Sequence, residues 1–284
     1  MIQIPKGEYI IGTEHPDGFL TDREGPKSKV SLSDFWIDET TITNREFRVF
    51  VEATGYITEA ERFGWSFVFS YFLDSETKRR SPKVPNMAWW YAVSGADWRH
   101  PEGANSDISQ RMDHPVVQVS RNDALAYCRW AKKKLPTEAQ WEVAAKGGTD
   151  FERYPWGEDF LLNGQHHCNI WQGNFPQENT EEDGFSNTAP AKYYEPNGYG
   201  LYQMIGNVWE WCSNPARIPL NTFQTISSNE MWENYQNEDD QMYAIRGGSF
   251  LCHQSYCKRY RIAARNGNSG MSTANNLGFR CVKD

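Results

Sequence analysis

Glycine, proline, asparagine and aspartate interrupt this chain throughout its length, and that punctuation limits its fold more than any other feature. Long amphipathic runs are few, so most of the backbone is expected in short strands and loops. Three segments read as helices. Thr43-Asn44 ahead of Glu46 to Val51 supplies an N-cap and a short helix that ends near Gly55. From Ser120 to Lys133, Ala124, Ala126, Tyr127, Trp130 and Ala131 recur at helical spacing. From Pro136 to Gly148, Thr137 is the cap, Gln140 stands three residues on as in a capping box, and Gly147 is the stop. Met1 to Gly7 reads as a first strand, and Glu8 to Gly12 as a second strand after a turn. Beyond Gly148 the pattern predicts loops and short strands to the end. Residues 66–115, rich in Trp, Pro and charge, read as a long ordered excursion. With no low-complexity linker and no internal repeat, residues 1–284 read as one domain.

Composition supports a substantial core: 39% of the 284 residues are hydrophobic and 14% aromatic, with 12 Trp and 14 Tyr. No apolar run approaches the roughly 18 residues that span a bilayer, so no membrane partner is expected. The net charge of −8 argues against nucleic acid as a partner. Six cysteines in a chain of this length do not make a disulfide scaffold. The first residues lack the basic and apolar regions of a signal peptide, and no Asn-x-Ser/Thr sequon occurs. A cytoplasmic protein is the expectation.

The pair most suggestive of chemistry is Cys252 and Cys257. Their spacing is too wide for a CxxC turn but allows the thiols to meet across a bend. Two thiolates suit a soft ion such as copper(I), and a structural disulfide is the rival reading. From Arg246 to Lys283 there are seven Lys or Arg residues and no Asp or Glu, a local field that would favour thiolate. Arg261 and Arg265, four residues apart, are also placed to pair with buried carboxylates. His166-His167 before Cys168 reads as structural, because adjacent histidines point in different directions.

Several blocks then resemble one family. Leu135-Pro136-Thr137-Glu138-Ala139-Gln140-Trp141-Glu142, Gly206-Asn207-Val208-Trp209-Glu210-Trp211, Arg246-Gly247-Gly248-Ser249 and Leu277-Gly278-Phe279-Arg280 are similar to the formylglycine-generating-enzyme superfamily of sulfatase-modifying factors. Cys252-His253-Gln254-Ser255-Tyr256-Cys257 resembles the active-site signature of its oxidase branch. The resemblance implies a single α+β domain, a C-type-lectin-like variant with much irregular structure. It implies copper-dependent aerobic oxidation of a cysteine to Cα-formylglycine. The target lies in a Cys-x-Pro-x-Arg segment of an unfolded or nascent sulfatase polypeptide. O₂ and a thiol reductant are the implied co-reactants, and a prokaryotic, cytoplasmic monomer the implied form.

By the same resemblance, Cys252 and Cys257 hold copper(I), with the substrate cysteine joining as a third thiolate. Ser249 is placed to donate a hydrogen bond there, Trp209 and Tyr256 to wall the pocket, and Trp89 to shape a peptide groove. Asn169, Ile170, Asp183 and Phe185 match a first calcium site, and Gln203, Gly206, Val208 and Glu210 a second. Gln203 stands where the family usually has Asn. Trp65 replaces an acidic residue that lies near the substrate arginine in animal members, and an aromatic ring there can stack on a guanidinium. Cys128 and Cys281 match a disulfide of some relatives; in a reducing cytoplasm they are expected as buried thiols, with Cys168 and Cys212 as packing residues. The alternatives are a lectin-like binding module without oxidase activity, or an oxygenase acting on another thiol substrate.

Overall fold

The computed structural model describes residues 1–85, 87, 89–151, 153–237 and 241–284. Four strands open the chain: β1 (Ile2–Ile4), β2 (Gly7–Ile11), β3 (Ser28–Leu32) and β4 (Phe35–Ile37). β2 and β3 pair antiparallel, with Gly7 opposite Leu32 and Ile11 opposite Ser28. β1 pairs antiparallel with β4, and their inward residues Ile4, Phe35 and Ile37 are buried.

The three helices read from caps and apolar spacing form where expected. In α1 (Asn44–Thr54) the Thr43 hydroxyl accepts the Glu46 amide while Glu46 accepts the Thr43 amide, and Gly55 closes the helix in the left-handed region. The next helix, α2 (Glu59–Phe63), has the same reciprocal cap between Thr58 and Glu61. Its five residues are too few to show a period in sequence. Within the 66–115 excursion, β5 (Trp65–Phe69) and β6 (Trp90–Ser94) form an antiparallel hairpin around a small helix, α3 (Ser75–Arg80). α4 (Arg121–Ala131) starts at Ser120, and α5 (Glu138–Lys146) starts at Thr137 and stops at Gly147.

A two-residue ribbon, β7 (Gly173–Asn174) with β8 (Glu178–Asn179), follows. The C-terminal part builds the sheet that carries the site. β9 (Trp209–Pro215) is central, and a further helix, α6 (Ser228–Asn234), capped by Ser227 with Glu230, precedes β10 (Met242–Arg246). β11 (Asn266–Ser269) flanks β10, β12 (Leu277–Gly278) runs parallel to β9, and the order is β11-β10-β9-β12. Last, β13 (Val282–Lys283) adds to the other edge of β4, so both ends of the chain lie on one small sheet.

Side chains alternate across a strand, so the four-stranded sheet has two different faces. Glu210, Arg246 and Gly278 stand in register on the face toward α5. There Arg246 pairs with Glu138 and Glu142, Arg265 with Glu138, and Arg280 with Glu210, all fully buried. Burial alone would raise Glu138, but Arg265 and Arg246 hold its carboxyl at about 2. Trp209, Ile245 and Leu277 occupy the opposite face. Among the described residues, no helix is long and apolar enough to cross a membrane.

Candidate active site

The apolar face of that sheet is the floor of a cavity of about 290 Å³. The segment after β10 folds over it. Gly247 and Gly248 both have positive φ, and a Cβ on Gly247 would lie 2.8 Å from the Met204 carbonyl, so this reversal requires glycine. The chain then makes two successive turns. The Cys252 amide donates to the Ser249 carbonyl, and the amides of Tyr256 and Cys257 both donate to the His253 carbonyl. The second turn returns Cys257 to Cys252, with their sulfurs 3.0 Å apart and no disulfide between them.

All five residues singled out for chemistry, Ser249, Cys252, Cys257, Trp209 and Tyr256, line this one cavity. Ser249 is fully buried; its hydroxyl accepts the Asn276 amide at 2.9 Å and hydrogen-bonds Cys252. Burial pushes the Cys252 thiol up. Cys257 is held below the ordinary thiol range, because it accepts the Cys252 S–H and lies against the Arg259 guanidinium. Of the pair, Cys257 is therefore the more readily ionised.

Exposed apolar side chains gather at the mouth. Tyr256 lies flat on Phe175, with ring centroids 4.6 Å apart, and Trp89 meets its edge. Trp65 is 38% exposed and packs edge-on against Phe67, which lines the cavity. Phe63, Trp65 and Phe67 thus form an aromatic row from the surface toward the thiols.

The basic segment is less positive than its sequence suggests. Its arginines are neutralised by carboxylates from elsewhere: Arg246 and Arg265 on α5, Arg261 by Glu24, and Arg280 by Glu210. Of the Lys and Arg residues of that segment, Arg259 is the one that lines the cavity among the described residues. Sequence reasoning assigned no role to Arg259 or Asn276. Asn276 carried no signal, since its partner Ser249 is 27 residues away.

The two oxygen clusters lie outside the cavity. In the first, Asp183 accepts the amides of Ile170 and Phe185, and Gln172 bridges Asp183 to the Ile170 carbonyl. Asn169 donates to the Asn187 carbonyl, while its own buried Oδ1 has no partner. A carboxylate without a basic partner at contact distance, carbonyls and an open amide oxygen make a donor set that fits a hard cation. Burial raises the Asp183 carboxyl. In the second, the buried Gln203 Oε1 is likewise without a partner. Glu210, however, already accepts two bonds from Arg280 and one from Trp141. Gly206 and Val208 flank Asn207 on the same loop, whose amide donates to the Asn169 carbonyl, so the two clusters adjoin.

The remaining cysteines are buried free thiols; Cys128 and Cys281 approach to 3.6 Å. His166 faces Glu182 at 3.8 Å and His167 stacks on Trp156, so the two rings diverge. Among the described residues, no three His, Cys, Asp or Glu side chains converge as a metal site.

With this geometry in view, residues 1–284 match the sulfatase-modifying factor enzyme 1-like domain family. A protein of Thermomonospora curvata named formylglycine-generating enzyme is 50% identical over 284 residues, covering all of this chain and 93% of its own. One of the same name from Streptomyces coelicolor is 48% identical, covering all of this chain and 88% of its own. The solved structure of PvdO from Pseudomonas aeruginosa superposes with a TM-score of 0.69 at 20% identity, covering 99% of this chain and 93% of that one. At that identity it shares the fold alone.

Proposed function

This chain belongs to the sulfatase-modifying factor enzyme 1-like family, and from that premise we propose that it oxidises a cysteine of a sulfatase polypeptide to Cα-formylglycine. The observation that carries the reading is the convergence of Cys252 and Cys257 on one open-mouthed cavity. Two soft sulfurs on a single loop fit copper(I), which when bound there supplies the one-electron O₂ chemistry that side chains lack.

The protein's own part is to bind, orient and exclude water. Trp209, Ile245 and Leu277 keep the floor apolar, so an entering cysteine side chain meets the two sulfurs away from bulk solvent. Ser249, held by Asn276, presents its hydroxyl beside Cys252. The aromatic row ending at Trp65 offers a docking face for an extended segment, and Cys-x-Pro-x-Arg is the segment proposed, its guanidinium stacking on Trp65. The balance requires four electrons for O₂. Two come from the substrate cysteine and two from a pair of reductant thiols, leaving aldehyde, hydrogen sulfide, one water and the reductant's disulfide. A reducing, cytoplasmic setting suits both that reductant and the free thiols of Cys128 and Cys281. We assign the Asn169–Ile170–Asp183–Phe185 cluster to a structural calcium. The second cluster, with Gln203 open and Glu210 shared with Arg280, is assigned to another.

The test is turnover of a Cys-x-Pro-x-Arg peptide, with copper(I), O₂ and a thiol supplied, by the Cys252→Ser and Cys257→Ser proteins. Each is expected to lose activity by orders of magnitude; wild-type turnover from either sinks the reading.

A further inference from the structure

Two thiolates around one monovalent cation carry a net negative charge, and a substrate thiolate adds to it. Such a charge in a buried site requires a compensating cation, or its desolvation opposes binding. We infer that Arg259 is that counter-cation for the Cys252–Cys257 site and that Asp22 is the residue that positions it. The inference rests on the copper(I) reading above.

Around the site, Glu138 and Glu142 offset Arg246 and Arg265, Glu24 offsets Arg261, Glu210 offsets Arg280, and nearer the surface Asp17 serves both Arg153 and Lys258. Asp22 is different. This fully buried carboxylate takes Arg259 Nε at 2.6 Å on one oxygen and Arg217 Nε at 3.3 Å on the other. Among the described residues, one negative charge is thereby shared between two guanidiniums, and a surplus positive charge remains. Of the two guanidiniums, Arg259 is the one that reaches the thiols, because it lines their cavity and donates to the Cys257 sulfur, whereas Arg217 is more exposed.

Arg259 is held at two more points, one on its guanidinium and one on its backbone. Its Cζ sits 4.2 Å over the Phe19 ring, and the Arg259 carbonyl packs where only the Cβ-free Gly248 allows it, 3.0 Å from an ideal Cβ there. Phe19 and Asp22 flank the exposed Leu20 on one short turn. That turn, more than 200 residues upstream, thus sets the direction of the charge beside Cys257.

The test is copper(I) affinity of the whole protein, measured anaerobically by competition with a chromogenic copper(I) chelator. Arg259→Met and Arg259→Gln are expected to weaken binding by up to about 1,000-fold, as for loss of one opposite charge at contact distance near a protein surface. Arg259→Lys is expected to recover most of that affinity, and Asp22→Glu, which keeps the carboxylate charge but displaces the arginine, to fall between. Melting temperatures are read in parallel. A merely structural role would make affinity follow thermal stability, whereas a counter-cation makes it follow charge, with Gln as weak as Met. Wild-type affinity in Arg259→Gln or Arg259→Met overturns the inference and leaves the copper(I) reading standing. No copper(I) binding by the wild type removes that reading, and this inference with it.

Discussion

Replacing Glu138 by Gln should destabilise the protein by about 3 kcal/mol at neutral pH, and the size of that loss should depend on acidity. Glu138 starts α5 and receives two bonds from Arg265 (2.8 and 2.6 Å) and one from Arg246 (3.2 Å), with Asn214 completing its partners. Its carboxyl is held at about 2 against an ordinary 4.5, which at about 1.4 kcal/mol per pH unit converts to about 3 kcal/mol. Removing one partner of a buried ion pair costs a similar 3–5 kcal/mol or so, because it strands the other charge. The folded-state value is depressed, so the stabilisation is fully present above the unfolded value near 4.5. It is lost as pH falls toward 2. The assay is urea unfolding followed by tryptophan fluorescence at pH 7, 5, 4.5 and 4. Between pH 4.5 and 4 the wild type should begin losing stability that Glu138→Gln does not have to lose. A variant within about 1 kcal/mol of wild type at pH 7, or one whose pH dependence runs parallel to it, would refute the reasoning.

Two further outcomes follow from the site and its surroundings. Asn276→Ala removes the donor that orients Ser249 and should lower kcat about tenfold, as loss of such outer partners does, with little change in KM; Ser249→Ala should cause a similar loss and the double variant no more. A double variant whose losses multiply would show the two residues acting separately. Chelation of calcium should lower Tm by roughly 5 °C, and Asn169→Ala should blunt that response because it deletes the open amide oxygen. An unchanged Tm in both states would remove calcium from the account.

What the sequence shows depends on the distance over which each feature is built. α1 and α5 are legible because Thr43 with Glu46 and Thr137 with Gln140 are local signals. α2 carries the same signal in Thr58 and Glu61 but ends within five residues. The meeting of Cys252 and Cys257 is likewise a local turn, and five-residue spacing suffices to suggest it. The electrostatics are not local. The segment from Arg246 to Lys283 looks uniformly positive, yet Asp22, Glu24, Glu138 and Glu142 reach it from more than 100 residues upstream. What sequence presents as a broad field becomes one guanidinium, that of Arg259, beside one sulfur. Asn276 escapes notice for the same reason, since long-range pairing, including that of β12 with β9, carries its segment to Ser249.

The central claim is that Cys252 and Cys257 serve oxidation of a substrate cysteine. Its most direct measurement is mass spectrometry of a Cys-x-Pro-x-Arg peptide after aerobic incubation with copper-loaded protein and a thiol reductant. The account predicts a product that has lost one sulfur and two hydrogens, gained one oxygen and reacts with hydroxylamine as an aldehyde. A peptide of unchanged mass from folded, copper-loaded protein would contradict it.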